Sequence, residues 1–227
     1  MPLILNIETA TDVCSVCLSR DGLVLALREM APTLDHAAQI TLMIEACFQE
    51  VGLPLAALDA VAVSDGPGSY TSLRIGLAAA KGICYALEKP LIALSTLQSI
   101  ALAAQKQSPD ADIYAVMIDA RRMEVYLQVF DSNNQPLADA EACILEATLF
   151  ESQLHEGFTI VCAGNGSPKA QSLLTAPRIS FANTVCSATH LVPLAEAAFY
   201  KNAFADIAYH APFYLKPPNI TTPKKGL

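Results

Sequence analysis

Charge is what this sequence has least of. Its 227 residues carry 14 Lys and Arg against 22 Asp and Glu, so charged side chains make up only 16% and the net charge is −8. A protein that grips tRNA or duplex nucleic acid unaided needs a basic patch to displace phosphate counterions. The densest basic clusters here are Lys224-Lys225 and Arg121-Arg122, too few for that task. Hydrophobic residues reach 53%, yet no apolar run approaches the roughly 18 residues of a membrane-crossing helix. The opening MPLILNIETA has no basic n-region and soon meets Glu8 and Asp12, which is unlike a signal peptide. The expectation is a cytoplasmic protein without a membrane anchor. A chain this apolar and charge-poor is expected to hide surface against a second copy or a partner.

Several chemical motifs are missing as well. The seven cysteines (14, 17, 47, 84, 143, 162 and 186) form an odd set, and Cys14-x-x-Cys17 has no second pair to complete a zinc site. They read as buried thiols in a reducing compartment. His36, His155, His190 and His210 show no pairing at helical spacing. There is no G-x-S-x-G elbow, and Ser64 and Ser69 have no histidine nearby in sequence. The stretch Asp65-Gly66-Pro67-Gly68-Ser69-Tyr70-Thr71 is not a Walker A loop, because no Gly-Lys-[Ser/Thr] follows. It is not G-x-G-x-x-G either, since Thr71 holds the sixth position. Two readings of it stay open. Gly66, Gly68, Ser69 and Thr71 form either a tight turn that lets a strand and helix pack closely, or an anion site built on amides at a helix start. Glu8, Asp12, Asp65 and Asp119 are the carboxylates available for a magnesium–nucleotide cleft. The turn Glu8-Thr9-Ala10-Thr11-Asp12 offers no glycine for close phosphate approach.

What is present alternates regularly. Leu3–Ile7, Val13–Leu18 and Leu23–Arg28 read as three strands, the last two joined by a hairpin-type Asp21-Gly22. Thr33 or Asp35 caps a helix to about Val51, where Gly52 ends it. Ala60–Ser64 is a fourth strand, Tyr70–Leu87 a helix apolar nearly all round, Leu91–Leu94 a fifth strand, and Ser95 or Thr96 caps another helix. The polar Gln105–Asp110 marks a lobe boundary. Beyond it lie strands at Ile113–Ile118, Glu124–Phe130 and Thr159–Ala163. Helices are expected at Thr148–Leu154, Ser167–Leu174 and Thr189–Asn202. The chain divides into a first lobe, 1–104, a smaller second lobe, 105–188, a helix at about 189–206 packing back on the first, and a flexible tail, 216–227. Strand, crossover helix, strand favours an α/β fold with parallel pairs.

The helices Asp35–Val51 and Tyr70–Leu87 each carry a second apolar side. Ala38, Leu42, Ala46, Ile75, Gly76, Ala79, Gly82 and Ile83 are therefore the candidate partner interface, with Gly76, Ala79 and Ala80 small enough for close helix approach. A two-fold homodimer is expected through the same patch when no other partner is present.

SDGPGSYTSLRIGLAAAKGICYAL followed by PLIALSTLQSIA resembles the TsaB (YeaZ-like) family of tRNA threonylcarbamoyladenosine biosynthesis proteins. ILNIETATDVCSVCLSRDG, IDARRMEVY at Ile118–Tyr126, and PFYLK near the end match too, so the resemblance runs through nearly the whole chain. Glu8 stands where that family usually has Asp, and Met123 where a small residue is frequent. The resemblance implies a two-lobed ASKHA fold, the ribonuclease-H-like architecture shared by sugar kinases and actin. It implies a non-catalytic subunit for threonylcarbamoyl-adenosine (t6A) formation in tRNAs reading codons that begin with adenine. That subunit binds and organises the catalytic paralogue TsaD, alongside the ATPase TsaE. It meets tRNA only through the complex and needs no cofactor of its own, with ATP or ADP held at the interface shared with the paralogue. Laid on the paralogue's H-x-x-x-H metal pair, the sequence places Thr96 and Ile100, neither a useful transition-metal ligand. The alternative is an ASKHA-type ATP-dependent phosphotransferase or hydrolase using Glu8 and the Gly66–Thr71 loop.

Overall fold

The computed structural model describes residues 1–30 and 35–217. Thr33, the tail beyond Pro217 and the Lys224-Lys225 cluster lie outside the described residues. The first half runs β1 (Leu3–Glu8), β2 (Cys14–Arg20), β3 (Leu23–Met30), α1 (His36–Val51), β4 (Ala60–Gly66), α2 (Tyr70–Leu87), β5 (Leu91–Ser95) and α3 (Thr96–Gln107). The second half runs β6 (Ile113–Asp119), β7 (Glu124–Asp131), β8 (Glu141–Ile144), α4 (Glu151–His155), β9 (Ile160–Ala163), β10 (Ile179–Phe181) and α5 (Ala188–Tyr200). Short 3-10 turns occur at Leu55–Ala57 and Ser167–Ala170.

Each half builds one five-stranded mixed sheet, and the two have the same order. The first is β3-β2-β1-β4-β5, the second β8-β7-β6-β9-β10. In both, the first three strands meander antiparallel and the last two join in parallel. Asp21 and Gly22 take φ of 52° and 72°, the left-handed pair a two-residue hairpin turn demands. This is the two-lobed α/β architecture of the ASKHA fold.

Alternation on β1 divides the first core. Leu3, Leu5 and Ile7 face α1 and α2, where they meet Ile40, Ile44, Phe48, Leu77, Ala80 and Cys84. Ile4 faces the other way, with Ala60, Ala62 and Ile92, against Leu191 and Ala195 of α5. On the second sheet, Tyr114, Val116 and Ile118 pack against Leu97, Ile100, Ala101 and Ala104 of α3. Ile113, Ala115 and Met117 meet Phe150, Ala170 and Leu174 on its far face. The lobes are thus laced: the helix closing the first half covers the second sheet, and the helix closing the second half covers the first.

Helix starts follow local chemistry. Ser69, Ser95 and Ser187 each accept a hydrogen bond from a backbone N–H of the first turn of α2, α3 and α5. Asp35 precedes α1 without such a side-chain bond. Three elements differ from the sequence expectation. Ser167–Ala170 makes a 3-10 turn in place of the expected helix to Leu174, a stretch too short to offset the cost of helix nucleation. Glu141–Ile144 and Ile179–Phe181 are edge strands too short for a visible period.

Gly76 corrects a further expectation. It is buried, and a Cβ there would collide with Oγ1 of Thr9 in the β1–β2 turn, so its bareness admits this chain's own Thr9 side chain and not a partner helix. Ala80 is fully buried in the same core. A Cβ on Gly82 would meet none of the described residues within 4 Å. Gly76→Ala is expected to lose about 1–2 kcal/mol of unfolding free energy, overpacking against a stiff β-branched side chain exceeding the gain in helix propensity. Gly82→Ala in the same helix is expected to gain up to ~1 kcal/mol. Denaturant melts of the two variants check both signs.

Candidate functional site

The parallel strands β1 and β4 end at Glu8 and Gly66, and β6 and β9 end at Asp119 and Ala163. All four carboxyl ends converge on one crevice between the lobes, the usual place for a ligand in an open α/β sheet. The cleft holds about 740 Å³. The first lobe lines it with the turn Ala10–Asp12 and the loop Pro67–Ser72. The second contributes Ile118–Arg121, Tyr126 and Asn165, and the C-terminal segment Phe213–Pro217 forms a third wall.

Glu8 lies just beneath this floor with none of its surface exposed. Its Oε1 accepts from the Ala10 N–H at 2.7 Å and from the Ser64 hydroxyl at 2.8 Å, while Oε2 is buried with no partner among the described residues. Burial pushes its carboxyl up to about 7 against the pull of these hydrogen bonds. Glu8 therefore acts as a clamp that fixes the β1–β2 turn onto β4.

The glycine loop is occupied by its own chain. A Cβ on Gly68 would strike the Ala10 carbonyl, and one on Gly66 (φ 126°) would strike the Phe213 carbonyl. The Ser69 N–H donates to the Ala10 oxygen at 2.7 Å, and the Ser69 hydroxyl caps α2. Thr71 stands exposed on the first turn. Contacts within the chain use the Ser69 N–H and bring the Ala10 carbonyl against Gly68, the close packing that the tight-turn reading expects of this loop. Asp12 and Asp119 line the cleft; Asp65 lines a separate neighbouring pocket beside Gly66, with His210 Nε2 at 3.5 Å from its carboxylate. Burial raises the Asp65 carboxyl, and the His210 side chain opposes that rise. Asp119 is held by Lys169 Nζ at 2.5 Å and by the Arg121 N–H at 2.6 Å. Arg121 and Arg122 both take left-handed backbone, φ 74° and 51°, which turns the β6–β7 connection into the cleft mouth.

Thr96 and Ile100 sit on the inner side of α3. Both are fully buried, and Ile100 belongs to the apolar cluster under the second sheet. The residues present do not fit a resident magnesium triphosphate either. Glu8 commits one carboxylate oxygen to the turn and lies beneath the floor, and the loop amide of Ser69 is spent on Ala10. Of the interface candidates, Ala38, Leu42 and Gly82 are exposed. Ala46, Ile75, Ala79 and Ile83 are half-buried, and Ile75, Ala79 and Ile83 pack on the core, so much of this set serves the fold. Sequence reasoning missed the C-terminal wall: PFYLK is four residues of cleft lining, and only its match to the family pattern marked it.

The comparisons agree with this architecture. A family model described as TsaD: tRNA N6-adenosine threonylcarbamoyltransferase matches residues 31–224. The tRNA threonylcarbamoyladenosine biosynthesis protein TsaB of Escherichia coli (strain K12) is 36% identical over 153 residues, covering 67% of this chain and 64% of that protein. The solved structure of YeaZ from Pseudomonas aeruginosa is similar over 95% of this chain and 100% of its own, with a TM-score of 0.81 and 26% identity. The chain belongs to this family, on its TsaB/YeaZ branch. The match spans a little under two thirds of the E. coli TsaB sequence. A TM-score of 0.51 at 12% identity relates the fold to component A of the (R)-2-hydroxyglutaryl-CoA dehydratase of Acidaminococcus fermentans. Among the described residues, no helix is long and apolar enough to cross a membrane.

The raised Glu8 value fixes a sign. In the unfolded chain this carboxyl ionises near 4.5, whereas the folded protein keeps its proton to about 7. Between those values the native state binds more protons, so the Glu8 contribution to stability falls as pH rises through that window and is level above it. Glu8→Gln keeps an acceptor for Ala10 and Ser64 and removes the charge. It is expected to be more stable than the parent at pH 8 by on the order of 1–3 kcal/mol and similar to it at pH 4.5. Chemical melts at the two pH values check this.

Proposed function

We propose that this TsaB-family chain is a non-catalytic subunit in the formation of threonylcarbamoyl-adenosine on tRNAs reading codons that begin with adenine. It binds and organises the catalytic paralogue TsaD, with TsaE acting in the same machinery. Membership of the TsaB/YeaZ family supports the pathway. One observation supports the binding role: α1 and α2 lie side by side on one face of the first sheet and keep an uncovered apolar surface after closing the core. Leu42 is 57% exposed and Tyr85 82%, and the exposed Ala38, Ala78, Gly82 and Ala86 lie on the same two helices. Apolar patches of this kind mark protein interfaces. The same patch pairs two copies when TsaD is absent, burying on the order of 1,200–2,000 Å² in total if that dimer is stable.

The reading also explains the acidic surface, since tRNA is then held by the complex and not by this chain. ATP or ADP, where the machinery holds it, belongs at the boundary with TsaD, because Glu8 lies beneath the cleft floor and the Ser69 N–H is engaged by Ala10. The interface centres on Gly82 and Leu42, with Gly76 excluded by its burial against Thr9.

Gly82→Arg tests this without disturbing the fold, because a side chain there enters open space. The variant is expected to melt near the parent temperature, sediment as a monomer, and bind purified TsaD at least about 30-fold more weakly, the cost of an unpaired charge at an interface centre. Unchanged TsaD affinity together with an unchanged dimer would place the interface elsewhere. ATP turnover by the purified chain alone would favour the phosphotransferase reading instead.

A further inference from the structure

After α5 the chain does not leave the molecule. It returns along the first lobe in a strap that ends on the second. Ala205 bridges Leu91 at the edge of β5, its N–H donating to the Leu91 carbonyl at 2.8 Å. The Lys81 ammonium donates to the His210 carbonyl at 2.6 Å. The Phe213 N–H donates to the Asp65 carbonyl at 2.7 Å, and the Phe213 oxygen fills the space that bare Gly66 leaves open. Tyr214 then stacks on Tyr70 at the start of α2, ring centroids 4.7 Å apart. Up to this point every fastening lies on the first lobe. The next is on the second: Lys216 pairs with the carboxylate of Glu124, the first residue of β7.

The fastenings are unequal. Those from Ala205 to Phe213 are mainly backbone hydrogen bonds, against the edge of β5 and the end of β4. The Lys216–Glu124 pair joins side chains that are both partly open to water, and such a pair contributes little and weakens with salt. Between these two kinds of attachment lies the stretch that walls the cleft, Phe213 to Pro217. A wall fixed, among the described residues, at one end by backbone bonds and at the other by an exposed ion pair has the construction of a hinged cover.

The geometry points to a gate: residues 214–217 cover the inter-lobe cleft, pivot at Phe213, and are latched shut by Lys216 on Glu124. Opening breaks the ion pair and the Tyr70–Tyr214 stack while the Phe213–Asp65 bond stays in place. Whatever enters the cleft from that side must wait for, or compete with, this latch. The gate stands on these contacts alone and is independent of the proposed role toward TsaD.

The cysteine inventory makes it measurable. Six of the seven thiols are buried and only Cys143 is partly accessible, so Cys143→Ser gives a quiet background. In it, Ala120→Cys places one reactive thiol on the second-lobe wall of the cleft. Its labelling by a bulky maleimide dye is followed at low salt, with a small methanethiosulfonate reagent as reference. Removing the latch from either end, by Lys216→Ala or by Glu124→Gln, is expected to speed dye labelling roughly two- to five-fold relative to the small reagent. Raising salt should bring the latched protein toward the same rate and leave the two variants unmoved. Circular dichroism confirms that each variant is folded. Equal rates in all three proteins at low salt would overturn the gate. So would acceleration by only one of the two substitutions, since a latch fails equally from both sides.

Discussion

Everything in the first lobe depends on how closely the β1–β2 turn meets the beginning of α2. The Ala10 carbonyl accepts the Ser69 N–H at 2.7 Å, and the approach is possible because Gly68 and Gly76 carry no side chain where Ala10 and Thr9 lie. Three elements converge there: the end of β1, the end of β4 and the first two turns of α2. Glu8 reinforces the junction from the other side through Ala10 and Ser64. The turn can therefore not be widened to admit a phosphate without losing the packing of α2 on the sheet. In this chain the elements that form the floor of the cleft are already engaged with one another.

That junction also marks the limit of what the residue pattern discloses. Strand alternation, the Asp21-Gly22 hairpin and the serine caps are local, so they are legible one segment at a time, and the order of elements follows from them. The cleft as a meeting of strand ends was legible only through the family resemblance. The direction of Gly76 was not legible at all. Gly76, Ala79 and Gly82 look alike in sequence, and which of them faces Thr9 depends on how α2 is rotated over the sheet. The role of Phe213–Lys216 was hidden for a related reason. A segment without helix or strand period shows no local sign that its carbonyl will fill the space left by a glycine 147 residues earlier. Short edge strands such as β10 are defined by their neighbours, here β9, more than by their own residues.

The equal order of the two sheets makes their differences informative. In the first lobe the segment between the third and fourth strands holds a helix of 16 residues, and that between the fourth and fifth one of 18 residues. In the second lobe the same positions hold a helix of 5 residues and a 3-10 turn of 4. A five-stranded sheet can evidently be covered with far less, because Phe150, Ala170 and Leu174 close the second core without long helices. Full-length α1 and α2 therefore present more surface than coverage of their own sheet requires. The excess is where Leu42, Gly82 and Tyr85 are found.

The exchange of α3 and α5 between the lobes completes this division. Each sheet is covered on one face by a helix from the other half, and Gln98 and Gln105 of α3 donate to the carbonyls of Asn134 and Asp131 in the second lobe. Two helices packed into the cores fix the depth of the cleft, and a partly exposed segment without helix or strand forms its remaining wall. Motion that would split the lobes must expose the cores under α3 and α5, whereas motion of the strap disturbs, among the described residues, an ion pair, one aromatic stack and the packing of half-buried Leu215. The cheaper movement lies at the C-terminal wall, so access to the cleft is set there and its shape is set by the core.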